Sequence, residues 1–296
     1  MQLDNTRISI RERNLLETVD LSFRVLREFW KPWLICSLLA IVPLAILNAL
    51  LLGWMAADMD FVEEWPARYF WTMAVFIYFE APLASIFVVG YMGPAVFMEK
   101  PTIKQVFWDT LRQFPSLFIA QCLLRCVLPV WLLAAMMDRI EPNWPIEAFV
   151  IPFLLLPLAT AVRAFRPYIN EIILLEKNPL RSNNPQVLTI GKRSAHLHGP
   201  YGSDLFVRWL GTLLISLALV AMIGVSTLTL QSVLFSNSEL NWLLVYIWYP
   251  AVLWTVVSLI SLVRFLDYLD LRIRHEGWEV ELLMKAEALR LKPNPL

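Results

Sequence analysis

The chain has 296 residues, of which 58% are hydrophobic and 17% are charged, and its formal net charge is zero. A soluble domain of this size is usually about 45–50% apolar, so the composition excludes an ordinary soluble protein. The apolar residues are gathered into runs of about 18 or more, the length that predicts helices crossing a lipid bilayer.

The apolar runs predict six membrane-spanning helices. In chain order they cover residues 33–56, 65–98, 115–137, 145–176, 204–234 and 241–272. Several of them exceed the roughly 20 residues that a bilayer needs. We therefore expect these helices either to tilt or to extend beyond the membrane.

Acidic side chains are concentrated in three short loops between the predicted spans. They are Asp58, Asp60, Glu63, Glu64, Asp138, Glu141, Glu147 and Glu239. Lys and Arg lie mostly at the two ends of the chain and in the alternate loops, and such a bias marks the cytoplasmic side. We therefore expect a multi-pass protein of the bacterial inner membrane with both termini in the cytoplasm. The first 31 residues lack the apolar core and cleavage site of a signal peptide, so the first span should be retained.

The segment before the first span has the pattern of an amphipathic helix lying in the membrane surface. Its apolar face consists of Leu15, Leu16, Val19, Phe23, Leu26 and Trp30, and basic residues occupy the other face. Ser9 and Glu12 form a capping box, which predicts that the helix starts at Ser9.

Two later segments repeat this plan and predict a triplicated domain. One begins with a capping box at Thr102 and Gln105, and the other, which is weaker, begins at Asn184. A proline joins each segment to its span, at Pro32, Pro115 and Pro200, and the paired spans end alike at Tyr91/Glu99, Tyr168/Glu176 and Tyr268/Glu276. The prediction is one all-α membrane domain of three parallel hairpin repeats, covering 9–99, 102–176 and 184–276, with 277–296 as a cytoplasmic tail.

The C-terminal stretch 264–283 reads RFLDYLDLRIRHEGWEVELL. It resembles endings common among uncharacterised bacterial polytopic membrane proteins, a group similar to the membrane domain attached to some glycerophosphoryl diester phosphodiesterases. The motif that carries the resemblance has Asp270, Arg272, Arg274, Glu276 and Gly277 as its body. The resemblance implies a helical membrane module without an assigned activity. It does not imply phosphodiesterase activity, because the chain has no room for the separate catalytic barrel.

Two opposite charges fall near the middle of predicted spans. Glu80 lies about halfway along the second span and Arg125 about halfway along the third. An isolated charge at this depth is costly, so we expect the two side chains to form an intramembrane ion pair. Such a pair either locks two hairpins together or forms a substrate or proton site, and Asn48 is the other deep polar residue nearby in sequence.

Four arginines lie towards the predicted cytoplasmic ends of the spans, namely Arg163, Arg166, Arg208 and Arg264. Their long side chains can reach the headgroup region from within a span. One interpretation is ordinary positive-inside anchoring, and the other is that they bind lipid phosphates between helices.

No motif for catalysis, a metal, a cofactor or nucleic acid is found. The histidines, His196, His198 and His275, lack a carboxylate at metal-ligand spacing, and Cys36, Cys122 and Cys126 suit packing. We therefore expect a non-catalytic membrane protein without a cofactor that contacts membrane lipids and assembles with membrane-protein partners. The alternative is a protein that handles lipids or small solutes. A filled bundle would favour the first function and a polar cavity the second.

Overall fold

The computed structural model describes residues 13–56, 66–96, 101–137, 145–182, 184, 186–235 and 240–276, and all regular structure within them is helical. The α-helices are α1 (Leu15–Leu52), α2 (Ala67–Ala84), α3 (Ile86–Val96), α4 (Ile103–Arg112), α5 (Phe114–Leu117), α6 (Val127–Ala135), α7 (Leu156–Phe165), α8 (Ile169–Glu176), α9 (Ile190–His198), α10 (Gly202–Phe235) and α11 (Tyr249–Glu276). A short 3₁₀-helix covers Gly53–Ala56, and π-helical segments cover Phe118–Leu123, Pro145–Leu155 and Leu244–Trp248. The predicted all-α fold is confirmed.

Five of the described helical stretches are long and apolar enough to cross a membrane. They are Leu15–Ala56, Ala67–Val96, Pro145–Phe165, Gly202–Leu234 and Leu244–Glu276. A sixth span results if Phe114–Leu123 and Val127–Ala135, which meet at an angle of 63°, count as one. The chain is therefore a multi-pass helical membrane protein, and the predicted number of spans agrees with the upper count.

Helix α1 combines the predicted surface segment and the first span in one bent helix. It is capped by Asn14, whose side chain accepts a hydrogen bond from the Glu17 backbone at 2.8 Å. The predicted cap of Ser9 and Glu12 lies outside the described residues. The helix bends at Phe29, where φ is −110° and ψ is 24°. Pro32 explains the bend, because its ring has no N–H to donate and displaces the carbonyl one turn before it.

The other two predicted junctions are also helix breaks. Gln113 separates α4 from α5, which carries Pro115 in its first turn, and Pro200 lies between α9 and α10. The predicted start of the third segment at Asn184 is wrong. Helix α9 begins at Ile190, because the Thr189 hydroxyl caps it by accepting a bond from the Lys192 backbone.

Two spans that were predicted as continuous are broken by prolines. Arg125 lies in the break between the π-helical segment and α6, and the next residue, Cys126, has a left-handed backbone with φ of 60°. Pro129 causes this break, since its ring would collide with the Arg125 carbonyl in a continuous helix. In the same way, α7 and α8 are separated at Arg166, which leaves the helical conformation because Pro167 follows it.

The buried apolar side chains form two clusters that follow one another along the helices. One contains residues of α1, α3, α8, α9 and the C-terminal half of α11. The other contains residues of α1, α2, α6, α7 and the N-terminal part of α11. Helix α11 contacts α1, α2, α3 and α10, so it is the central element. Helix α10 is peripheral, and among its described side chains only Leu205 is buried.

Candidate functional site

A cavity of about 330 Å³ lies between α2, α10 and α11. Most of its wall is apolar, and the lining includes Ile77, Leu213, Leu217, Val220, Val257 and Ile260. One end of the cavity is polar and charged. It is lined by four arginines together with a phenol and a carboxylate, namely Arg125, Arg163, Arg208, Arg264, Tyr168 and Asp267. The volume is within the roughly 300–1,000 Å³ of small-molecule sites, and the combination of apolar walls with a few polar groups is typical of them.

Arg125 is held at this end by backbone carbonyl groups. Its side chain is fully buried, and Nη2 donates to the carbonyls of Arg166 and Pro167 at 3.0 and 3.1 Å. Two helix breaks produce this contact: the break at Pro129 places Arg125 outside a regular helix, and the break before α8 frees the carbonyls. Nε and Nη1 of Arg125 have no hydrogen-bond partner. A buried donor without an acceptor is costly, so these groups favour a ligand that supplies acceptors.

Arg264 and Arg163 also present unpaired nitrogens. Nη2 of Arg264 donates to the Pro167 carbonyl at 2.9 Å and lies 3.4 Å from Oε1 of the buried Glu171. The Arg163 guanidinium lies 3.9 Å from the ring centroid of Tyr78, and its Nη2 donates to the Phe79 carbonyl. Nε has no partner in either arginine. In both arginines Nη2 is therefore held by a backbone carbonyl, while Nε is buried and unpaired.

Arg208 is different, because carboxylates already surround it. It contacts Asp267, and it lies 3.2 Å from both Asp204 and Asp270. It also donates to the Arg13 carbonyl, which ties the base of α10 to the start of α1. The Tyr168 hydroxyl donates to Asp267. Arg208 therefore has a structural role at the edge of the cavity, where it connects α10 to α11 and to the residue before α1.

The predicted ion pair between Glu80 and Arg125 is not formed. Glu80 is fully buried, but it accepts hydrogen bonds from Asn48 Nδ2 and Trp131 Nε1, both at 2.6 Å. The prediction assumed two continuous helices with side chains at matched depth. The break at Cys126 turns Arg125 towards the α7–α8 junction, and two neutral donors take the place of the counter-ion at Glu80.

Three of the four predicted lipid-contacting arginines line one cavity, namely Arg163, Arg208 and Arg264. Arg166 does not: its side chain is exposed, and only its carbonyl takes part in the site. Arg163 was expected to reach the membrane surface, but it is buried against Tyr78. Asp267 was not predicted as a site residue, although a carboxylate within a predicted span is the same signal that identified Glu80.

A second ionic cluster joins the ends of α8 and α11 to α9. Arg193 Nε and Nη2 donate to the Glu176 carboxylate at 2.6 and 2.8 Å, and Nη2 also contacts Glu276. The Tyr268 hydroxyl donates to Glu176 at 2.8 Å, and Arg272 pairs with Glu276 at 2.7 Å. The hydrogen bonds to Glu176, and then those to Glu276, raise the pKa of the Arg193 guanidinium. Glu176, Tyr268 and Glu276, which were predicted to mark the equivalent ends of two hairpins, therefore belong to one cluster of contacts.

Comparisons with known proteins add no residue and no family to this site, and the resemblance of residues 264–283 to bacterial membrane proteins stays a prediction. No family model, no curated protein and no solved structure matches the chain.

Proposed function

We propose that this protein binds an anionic lipid, with the negatively charged headgroup at the arginine end of the cavity. The observation that carries the proposal is the set of unpaired guanidinium nitrogens on Arg125, Arg163 and Arg264, all buried in a protein that crosses a membrane. Basic pockets between membrane helices bind lipid headgroups. A phosphate would supply the acceptors that these groups lack and would offset their charge.

The apolar part of the cavity suits an acyl chain. Lining residues on α10 run from Arg208 to Val220, and those on α11 run back from Asp267 to Tyr249, so the wall is polar at one end and apolar along its length. Twelve helical residues extend about 18 Å. The volume is near the lower limit for small-molecule sites. We infer that the cavity holds the headgroup and part of one chain, while the rest of the lipid lies in the bilayer.

The cavity favours lipid handling over a scaffold function. A filled bundle would favour a scaffold that assembles with other membrane proteins, and a scaffold function does not explain why three arginines line one cavity. The proposed role is non-catalytic, because the one carboxylate of the described cavity wall is already bound by Arg208 and Tyr168. The hydroxyl groups of Thr212, Ser216 and Ser261 also line the cavity, and each donates to a backbone carbonyl of its own helix. This set provides recognition by charge.

The proposed membrane arrangement follows from the charge pattern of the loops. Both termini lie in the cytoplasm, the membrane is the bacterial inner membrane, and the three hairpins are parallel repeats. Residues 15–28 of α1, before the bend at Phe29, then lie at the inner surface. Labelling of Asp60→Cys in intact cells is the test of orientation: reaction with an impermeant reagent from outside is expected, and reaction from the cytoplasm alone would overturn the arrangement.

Native mass spectrometry of the purified protein tests the lipid proposal. Titration with phosphatidic acid, phosphatidylglycerol or phosphatidylcholine in mild detergent should show tighter binding of the anionic lipids, and Arg264→Gln should weaken it about tenfold or more. Arg24→Gln is the matched control, since Arg24 lies on the exposed face of α1 and is 75% exposed. Equal binding of all three lipids would overturn the proposal.

A second variant tests the same cavity without removing a charge. Ser216 lines the cavity, and its hydroxyl bonds only to the Thr212 carbonyl of its own helix in the described structure. Ser216→Phe should fill the space, lower lipid occupancy and leave the unfolding temperature equal or higher. Unchanged occupancy in a folded Ser216→Phe protein would place the lipid elsewhere.

A further inference from the structure

We infer that His198, which does not line the cavity, positions Arg125 and Arg264 by orienting the peptide group between Pro167 and Tyr168. One side of this peptide group bonds to the histidine, and the other side bonds to both arginines. The binding of a lipid headgroup by these arginines rests on the proposed function. His198 is then a positioning residue of the lipid site.

The carbonyl of this peptide group is shared by the two arginines. The Pro167 oxygen accepts from Nη2 of Arg125 at 3.1 Å and from Nη2 of Arg264 at 2.9 Å. Both guanidinium groups are rigid and planar, and in both Nε is buried without a partner. The direction of the Pro167 carbonyl therefore also affects where the unpaired nitrogens lie.

The N–H of the same peptide group points towards α9. The Tyr168 N–H donates to Nε2 of His198 at 3.4 Å. In a planar trans peptide group the N–H and the C=O point in opposite directions, so an acceptor for the N–H also orients the carbonyl. The bond is longer than the usual value of about 2.7–3.2 Å and is therefore weak, but other contacts fix the ring that accepts it.

The partners of His198 fix both its tautomer and its orientation. Nδ1 lies 2.7 Å from the Ser194 carbonyl, which can only accept, so Nδ1 carries the hydrogen. The Tyr168 N–H can only donate, so Nε2 is the free acceptor of a neutral ring. The ring is 3% exposed and stacks on the ring of Tyr168, with centroids 5.7 Å apart and planes inclined by 24°.

This arrangement connects a helix outside the cavity to the site within it. The described lining contains no residue of α9, so His198 has no direct contact with the cavity. Tyr168 does line it, and its hydroxyl donates to Asp267 on α11. An effect of His198 on lipid binding is therefore expected to pass through the Pro167–Tyr168 peptide group and the two arginines that it binds.

Two neutral amides at position 198 test the inference. Gln carries an acceptor at nearly the reach of Nε2, whereas Asn is one methylene shorter and retains only the contact with the Ser194 carbonyl. Native mass spectrometry with phosphatidylglycerol and phosphatidylcholine of identical acyl chains gives the relative affinities. His198→Asn should weaken phosphatidylglycerol binding about threefold to fivefold, the equivalent of one weak hydrogen bond, and His198→Gln should recover most of this loss.

The same change in an Arg264→Gln background provides the matched control. His198→Asn should then have a smaller effect on lipid affinity, because one of the two groups that the carbonyl orients is absent. If His198→Asn does not fold, His198→Phe takes its place, since Phe keeps a ring against Tyr168 and removes both nitrogens. Equal losses in the Asn and Gln variants, or an effect that is unchanged in the Arg264→Gln background, would overturn the inference.

The outcomes separate this inference from the proposed function. If the wild type prefers phosphatidylglycerol and a folded His198→Asn protein binds it equally well, the positioning role is wrong and the proposed function stands. If the wild type shows no preference, the proposed function fails, and unfolding in detergent micelles tests the positioning role alone. His198→Asn and Arg264→Gln should then cost less unfolding free energy together than the sum of the two, and additive losses would overturn the role.

Discussion

Replacing Arg193 by Gln should destabilise the protein by about 2–3 kcal/mol. Its guanidinium is 11% exposed and makes short contacts with Glu176 and Glu276, so the change breaks a nearly buried ionic cluster. Removing one partner of a buried pair costs about 3–5 kcal/mol. The expected loss is smaller because Arg272 remains 2.7 Å from Glu276 and 3.9 Å from Glu176. The measurement is reversible unfolding in mixed detergent micelles, followed by circular dichroism.

The reasoning depends on the pair and not on the loss of a charge as such. Arg24→Gln removes the same charge from an exposed pair with Asp20 and should cost about 0–0.5 kcal/mol. A double-mutant cycle of Arg193→Gln with Glu176→Gln should give a coupling of about 1.5–3 kcal/mol. Two results would refute the conclusion that this ionic cluster holds α8, α9 and α11 together. One is a loss of unfolding free energy in Arg193→Gln that is no larger than the loss in Arg24→Gln, and the other is additivity of the two effects in the double-mutant cycle.

Three further changes have defined outcomes. Lys177 ends α8 with a left-handed φ of 52° and a side chain that is 60% exposed, so Lys177→Gly should stabilise the protein by about 0.5–1 kcal/mol in the same unfolding assay, and a loss would contradict this. Burial lowers the pKa of His198 from 6.5 to about 4, so its neutral form is favoured in the fold. The wild type should therefore lose up to roughly 1.4 kcal/mol per pH unit, relative to His198→Gln, as pH falls from about 6.5 to 4, and parallel pH curves would be inconsistent with burial of a neutral ring. Because Glu80 and Arg125 have separate partners, the effects of Glu80→Gln and Arg125→Gln should add within about 0.5 kcal/mol, and recovery of stability in the double variant would show that they interact after all.

The features that are predictable from sequence are those set by local pattern. Apolar runs identify the spans because a span is defined by composition over about 20 residues. The bend near Pro32 and the breaks near Pro115 and Pro200 were also predictable, since a proline acts on its own helix turn. The start of the first helix was predicted at Ser9, whereas α1 is capped by Asn14. The sequence has two capping boxes close together, one at Ser9 and one at Asn14, and the prediction used the first.

The site was only partly predictable, because its contacts join distant backbone segments. Arg125 stood out as a charge within a span, but its acceptors are carbonyls that Pro167 frees about forty residues away. A backbone carbonyl has no sequence signature, whereas the Glu80 carboxylate does, so Glu80 was the partner that the sequence predicted. The effect of Pro129 was missed because it lies in an apolar run and alters the helix at the preceding turn.

The central position of α11 has a consequence for the synthesis of the protein. Arg125 and Arg163 enter the membrane long before Arg264 and the rest of α11, which complete the walls around them. At about 5–20 residues per second, the ribosome needs on the order of ten seconds to make the intervening segment. During that interval each central arginine carries an insertion cost of about 2.5–3.5 kcal/mol without its final surroundings. A nascent chain that stalls after α10 is therefore left with two intramembrane cations that lack the wall supplied by α11.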